Sequence, residues 1–474
     1  MNYLNMTIGE LHALYVSGTV TPLQVIEDVI SALSNDENNI LEATMYDEAR
    51  LAAKEIGPVE EGNLLWGIPF LVKDNIAVKD YVTSGSSKIL KNFITPFDAA
   101  VIKKLRKHKA IPVAKTTLDE LSMGGRGTTG HKGVTFNPYD KNKELIVGGS
   151  SSGSASGVAS GYVPFALGSD TGDSIRKPAS YTGLVGFKPT WGKVNREGLF
   201  SFMPTFDHLG FFTRSVSDAA LLLNVTQEQK DSSDNIENIT NDLKGARIAV
   251  IKPLLALYKN KALLARFKTL LKELEAKGAV ISYVDFDEKL LEAIYPTYLI
   301  LSCAEATSSN ANLTGITFGE RSQGESYEEI ITKTRSENIG RQAKIRFLIG
   351  EFVLRRENYE AYYKNAQKAR GLIVTAINKI FENYDFIIAP SAPSVAPKVN
   401  DKSENGTEVI ENHLAIANFG GYPSITVPLL LTDNLPIGIN LTGPVNSDAA
   451  LLSAAWNIEE ITGLYNLHVG WENL

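Results

Sequence analysis

Residues 148–179 read GGSSSGSASGVASGYVPFALGSDTGDSIRKPA, and the interpretation of the first half of this stretch decides the fold. Gly/Ser composition by itself favours coil, which would make residues 148–161 a flexible linker. Two features oppose that. Ala155, Val158 and Ala159 are interleaved at near-helical spacing, and the tract runs directly into VPFALGSD, a strand-like apolar segment. A linker leads to a boundary, whereas this tract leads into core. It is read as a tightly packed helix of small residues, followed by a buried strand and a Gly-rich turn.

Working outward, residues 67–72 (GIPFLV) form a candidate buried strand that ends at Lys73 and Asp74. A helix is expected over 98–107, a second strand over 110–115, and a helix start over 117–122. Further strands are expected over 165–168, 184–187, 247–251, 386–389, 424–427 and 437–441. Near the N-terminus, Thr7 with Glu10, and Thr21 with Pro22 and Gln24, have capping-box spacing at two helix starts. A helix follows over 46–56, and two long amphipathic helices cover 261–277 and 359–381. Polar stretches at 227–241 and 400–407 are surface connections. Strands alternating with helices point to an α/β fold.

A chain of 474 residues, 43% hydrophobic, has ample material for a large core. Its net charge of −7 argues against a broad basic face that would grip nucleic acid unaided. One cysteine, Cys303, rules out an intramolecular disulfide framework and reads as packing in its apolar surroundings. The first residues lack the basic-then-apolar pattern of a secretion signal. No apolar run approaches the ~20 residues of a membrane span, so a cytoplasmic location without membrane association is the expectation. Asp119, Glu120 and His131 show no metal-ligand spacing, and no metal site is expected.

Three separated motifs occur in order: Val72-Lys73-Asp74, then Gly148-Gly149-Ser150-Ser151, then Asp170 through Pro178. Together with GLVGFKP at 183–189, they resemble the amidase-signature family. That resemblance implies a single domain over 1–474, with a central mixed β-sheet covered by helices on both faces. Within it, about 60–225 would be the catalytic core, about 240–380 an inserted substrate-recognition region, and 385–474 a return to the core sheet. Carried over by motif position, Ser174 is the nucleophile, Ser150 the bridging serine on a cis peptide bond, and Lys73 the base. The N–H groups of Thr171, Gly172, Asp173 and Ser174 form the oxyanion hole.

Physical chemistry makes the same demands. A serine hydroxyl attacks only when a base takes its proton, and none of the six histidines lies between His131 and His208. A lysine can do this only when neutral, so burial must bring its pKa down from ~10.4. The end of an apolar strand suits that purpose. Without the serine motifs, Lys73 would read as an exposed lysine paired with Asp74. Oxyanion stabilisation needs N–H donors converging on one point, which a Gly-rich turn allows. Two positions depart from the family pattern: Asp173 and Ser152 stand where glycine is usual. The Asp173 carboxylate is expected to turn away from the oxyanion, with Asp170 and Arg176 bracing the turn.

Beyond the signature, the resemblance runs nearly end to end to the A subunits of glutamyl-tRNA(Gln) amidotransferases. It rests on 304–309 (AEATSS), 334–340 (TRSENIG), 359–370 (YEAYYKNAQKAR), 385–393 (DFIIAPSAP) and 435–443 (LPIGINLTG). It implies glutamine as substrate, B and C subunits as partners, and contact with tRNA only through the B subunit. No cofactor would bind this chain, since ATP and Mg²⁺ would act on a partner subunit. Glutamine is zwitterionic and needs a cation for its carboxylate and an acceptor for its ammonium. By motif position these are Arg346 and Glu411, a longer acid where the family often has Asp, with Tyr298 as a further substrate contact. The alternative is a free-standing amidase acting on small or aryl amides.

Overall fold

A computed structural model describes residues 3–228, 243–401 and 408–470. Eleven strands form one sheet: β1 (Leu41–Thr44), β2 (Pro69–Lys73), β3 (Ile111–Thr116), β4 (Phe165–Asp170), β5 (Val185–Lys188), β6 (His208–Thr213), β7 (Arg247–Ile251), β8 (Val280–Val284), β9 (Phe386–Pro390), β10 (Ser424–Thr432) and β11 (Leu435–Thr442). Their order is β1-β3-β2-β4-β6-β5-β10-β11-β9-β7-β8. The sheet is mixed, as expected. β2 runs parallel to both β3 and β4, and β7 parallel to β8 and β9, while the intervening pairs are antiparallel. On one side the helices Ser152–Ala159 and Arg176–Thr182 pack against the sheet and each other; another layer is formed by Val216–Thr226, Lys261–Ala276 and Asp448–Thr462.

The helix expected in the Gly/Ser tract is present at Ser152–Ala159, and every residue in it is buried. The composition follows from what surrounds it. A β-carbon on Gly153 would lie 2.7 Å from Ile40 O, and one on Gly157 would lie 2.5 Å from Leu71 Cδ1. Only residues without side chains allow the helix to come this close to the strands. Its buried serines are satisfied locally: Ser154 Oγ donates to Leu167 O at 2.9 Å and Ser156 Oγ to Phe136 O at 3.1 Å.

Both capping boxes form, at Thr7/Glu10 and Thr21/Gln24. Two expectations need correction. Residues 117–122 do not start an α-helix; Leu121 and Ser122 adopt positive φ, and only a short 3-10 turn, Glu120–Ser122, remains. Tertiary bonds override local propensity there, since Asp119 is engaged by a neighbouring loop. Residues 359–381 form a helix interrupted by a π-helical segment, Glu360–Lys364, before Asn365–Phe381. Most of 227–241, and residues 402–407, lie outside the described residues. Among the described residues no helix is long and apolar enough to cross a membrane.

Candidate active site

β2 and β4 are parallel neighbours, so their carboxyl ends meet at one edge of the sheet, where ligands of such sheets gather. Lys73 is the last residue of β2 and is completely buried. Its Nζ lies 2.8 Å from Ser150 Oγ and 2.9 Å from Ser169 Oγ. Asn75 holds the same serine, donating to Ser169 Oγ at 2.9 Å and to Ser122 Oγ at 3.0 Å. Burial brings the Lys73 amine down to about 7, against the opposing pull of Asp119, Asp170 and Asp207. The group is therefore substantially neutral near pH 7. Asp74 is not its partner: that carboxylate faces the buried Lys115, at 2.8 Å.

Ser150 follows a cis peptide bond from Gly149. Asp119 fixes this corner. Its carboxylate accepts five hydrogen bonds from residues 126–129, at 2.8–3.1 Å, and its N–H donates to Ser150 O at 3.1 Å. Neighbouring Glu120 accepts from Ser87 Oγ at 2.6 Å and from the Gly340 N–H at 2.8 Å. Burial raises its carboxyl above the ordinary range.

The turn carrying Ser174 is tied down from both ends. Asp170 receives Arg176 through two bonds, at 2.9 and 3.1 Å, and the Ile175 N–H at 3.0 Å. Burial alone would raise the Asp170 carboxyl; Arg176 and Lys188 hold it well below the usual carboxylate range instead. Arg176 also donates to Gly172 O at 2.7 Å and to Asn418 Oδ1 at 2.7 Å. At the other end Thr171 Oγ1 donates to Asp207 Oδ1 at 2.6 Å. Ser174 itself is buried and its carbonyl accepts the Ser151 N–H at 3.3 Å, which joins the two serine motifs. The N–H groups of Thr171, Gly172, Asp173 and Ser174 donate to no acceptor among the described residues. Four backbone donors in one turn, each without an acceptor among the described residues, can serve a developing oxyanion. Among the described residues no histidine bonds to Lys73, Ser150 or Ser174; His208 lies opposite Asp170 in the sheet, its ring nitrogen Nδ1 2.6 Å from Phe206 O.

A cavity of about 260 Å³ opens beside the turn, and its lining includes Asp173, Tyr298, Arg346 and Glu411. All three residues expected to contact substrate thus reach one space. Arg346, from the helix Arg341–Leu354, leaves Nε and Nη1 buried without a hydrogen-bond partner among the described residues, while its guanidinium lies 5.5 Å from the Phe202 ring centre. Buried donors of a cation left unpaired call for an anionic ligand. Tyr298, on Ile294–Ser309, packs on the turn, its ring 3.0 Å from where a β-carbon on Gly172 would stand. Burial raises its phenol above the ordinary tyrosine range. Glu411 uses Oε2 to accept the Glu408 N–H at 3.3 Å, and its own backbone O accepts from Lys177 at 2.6 Å.

Several participants escaped the sequence. Ser169 and Asn75 around Lys73 become legible only through the register that sets Val72 beside Leu167. Tyr295 and Gln342 line the cavity from helices whose pattern alone gave no signal. Asp119 read as part of a helix start, and only the returning loop reveals its task. Among the described residues no group of three His, Cys, Asp or Glu side chains is arranged to hold a metal ion.

The amidase family model matches residues 24–452. The A subunit of the glutamyl-tRNA(Gln) amidotransferase of Mycoplasma genitalium is 38% identical, over 93% of this chain and 96% of that protein. Its counterpart in Latilactobacillus sakei is 35% identical, over 98% and 97%. The crystal structure of the Thermotoga maritima counterpart superposes with a TM-score of 0.77 at 30% identity, covering 97% of this chain and 95% of that one. Likeness that runs almost the full length of both sequence and structure has one meaning: the chain belongs to the amidase family.

Proposed function

We propose that this chain is the glutamine-hydrolysing A subunit of a glutamyl-tRNA(Gln) amidotransferase, cleaving the side-chain amide and releasing ammonia to a partner subunit. The observation that carries the chemistry is a fully buried Lys73 amine 2.8 Å from Ser150 Oγ, beside the turn that bears Ser174. Neutral Lys73 takes the Ser150 proton while Ser150 takes that of Ser174, and Ser174 Oγ attacks the amide carbon. The N–H groups from Thr171 to Ser174 hold the oxyanion. The one proton taken from Ser174 returns along the relay to the nitrogen, which leaves as ammonia, and a glutamyl ester remains on Ser174. Water deprotonated by the same relay then releases glutamate.

Specificity follows from the cavity. Arg346 offers the substrate carboxylate two donors that have no partner among the described residues, Glu411 suits the ammonium, and Tyr298 closes the space over Gly172. Because Tyr298 and Arg346 come from the 240–380 stretch, we assign that stretch to substrate recognition, with 60–225 as catalytic core and 385–474 as the return to the sheet. In this assignment the B and C subunits are the partners. ATP and Mg²⁺ act on the partner that activates Glu-tRNA(Gln), tRNA is gripped through the B subunit, and the assembly works in the cytoplasm.

The test is hydrolysis of glutamine by the purified chain together with its co-purified partners. Ser174→Ala abolishes it and Lys73→Ala reduces it to near background. Substantial activity in either variant rejects the assignment. Brisk turnover of unrelated amides, with none on glutamine, would point to a free-standing amidase instead.

A further inference from the structure

The turn that bears Ser174 carries a carboxylate, Asp173, one residue before the nucleophile. Negative charge at that point opposes the negative charge that develops on the substrate oxygen. Asp173 is not left free: its Oδ2 lies 2.5 Å from Lys177 Nζ, with both side chains largely withdrawn from solvent. Lys177 sits four residues on, in the helix Arg176–Thr182, and its N–H donates to Asp173 O at 2.9 Å, so the pair is closed by backbone as well as side chain. The same ammonium donates to Glu411 O at 2.6 Å, across the cavity that both Asp173 and Lys177 line.

We propose that Lys177 is an electrostatic positioning residue: it neutralises the Asp173 carboxylate and holds it off the oxyanion turn, so the turn keeps its stabilising field despite an acid beside the nucleophile. This rests on Ser174 and its turn acting as proposed above. The pair touches neither Lys73 nor Ser150. Losing Lys177 therefore leaves the relay intact and acts through an unscreened charge at the rim of a largely buried site. Removing that charge as well should repair the defect, which a purely structural tie would not do.

The experiment is a charge-cancellation cycle on the complex, using glutamine hydrolysis and labelling of Ser174 by a serine-directed phosphonate. Lys177→Met is expected to lower kcat about 10-fold, with a much smaller change in KM. Lys177→Arg, which keeps the charge, is expected to retain most of the activity. Asp173→Asn with Lys177→Met is expected to recover to within about twofold of Asp173→Asn alone. Thermal unfolding of each variant accompanies the rates, and the Arg variant keeps the cycle informative if the Met variant folds poorly. A double variant no faster than Lys177→Met, or a Lys177→Arg no better than Lys177→Met, overturns the proposal. Ser174→Ala in the same assay separates the two ideas: activity there refutes the nucleophile, whereas a missing rescue with Ser174→Ala inactive refutes only the role of Lys177.

Discussion

Asp119 Oδ2 stands 2.1 Å from the point where a β-carbon on Gly149 would lie. The carboxylate cannot yield, because the backbone N–H groups of residues 126–129 hold both of its oxygens. Glycine before Ser150 is thus required by a tertiary contact, and Asp119 fixes the position of Ser150.

Gly149→Ala is accordingly expected to displace Ser150 or to break the Asp119 cluster. Overpacking of this kind costs about 1–3 kcal/mol. Chemical denaturation should register that loss, and kcat should fall by about 100-fold or more as the relay opens. A variant with wild-type kcat would show that the Asp119 cluster does not position Ser150.

Activity should depend on a single deprotonation with a midpoint near 7, rising with pH, because burial brings Lys73 to about 7 and only the neutral amine accepts a proton. The sign for stability is the same. The folded amine titrates below its ordinary ~10.4, so between these values the unfolded chain binds more protons and stability rises with pH. Lys73→Met should remove that contribution to the slope. Rate–pH profiles and denaturation at pH 7 and 10 test both halves.

Arg346→Ala should lower kcat/KM for glutamine by about 10- to 100-fold, chiefly through KM, since the lost bonds join a cation to a carboxylate that is present in ground and transition states alike. Arg346→Lys should recover little, because the planar pair of donors, Nε and Nη1, is what lacks a hydrogen-bond partner among the described residues. Steady-state kinetics with glutamine, and with an analogue lacking the carboxylate, measure this; equal losses on both substrates would contradict it.

Arg176→Met should cost about 3–5 kcal/mol by leaving Asp170 charged and unpaired in a fully buried site. Because Arg176 also ties Gly172 and Asn418 to the turn, activity should fall together with the unfolding midpoint. A stable, active variant would show that the turn needs no brace from this side.

Much of the framework was legible in the residues. The Gly/Ser tract reads as a buried helix because small apolar residues recur at helical spacing and a strand follows; strands β2, β3, β7 and β9 are apolar runs with clear ends. β6, HLGFFT, gave no such signal, because His208 and Gly210 interrupt its apolar run. The helices of 294–354 were equally silent, and they bring Tyr298 and Arg346 to the cavity.

Local chemistry dictated which groups can react: a lysine at the end of an apolar strand, and serines in Gly-rich turns that permit close backbone approach. Sequence alone determined the candidate trio, Lys73, Ser150 and Ser174, through motifs that resemble the amidase-signature family. Only tertiary structure decided that Lys73 ignores Asp74 for Ser150 and Ser169, that Asp119 holds the corner at Ser150, and that Lys177 covers Asp173. Those choices depend on strand register and on loops returning from distant parts of the chain, and the burial that neutralises an amine exists only once the sheet has closed around it.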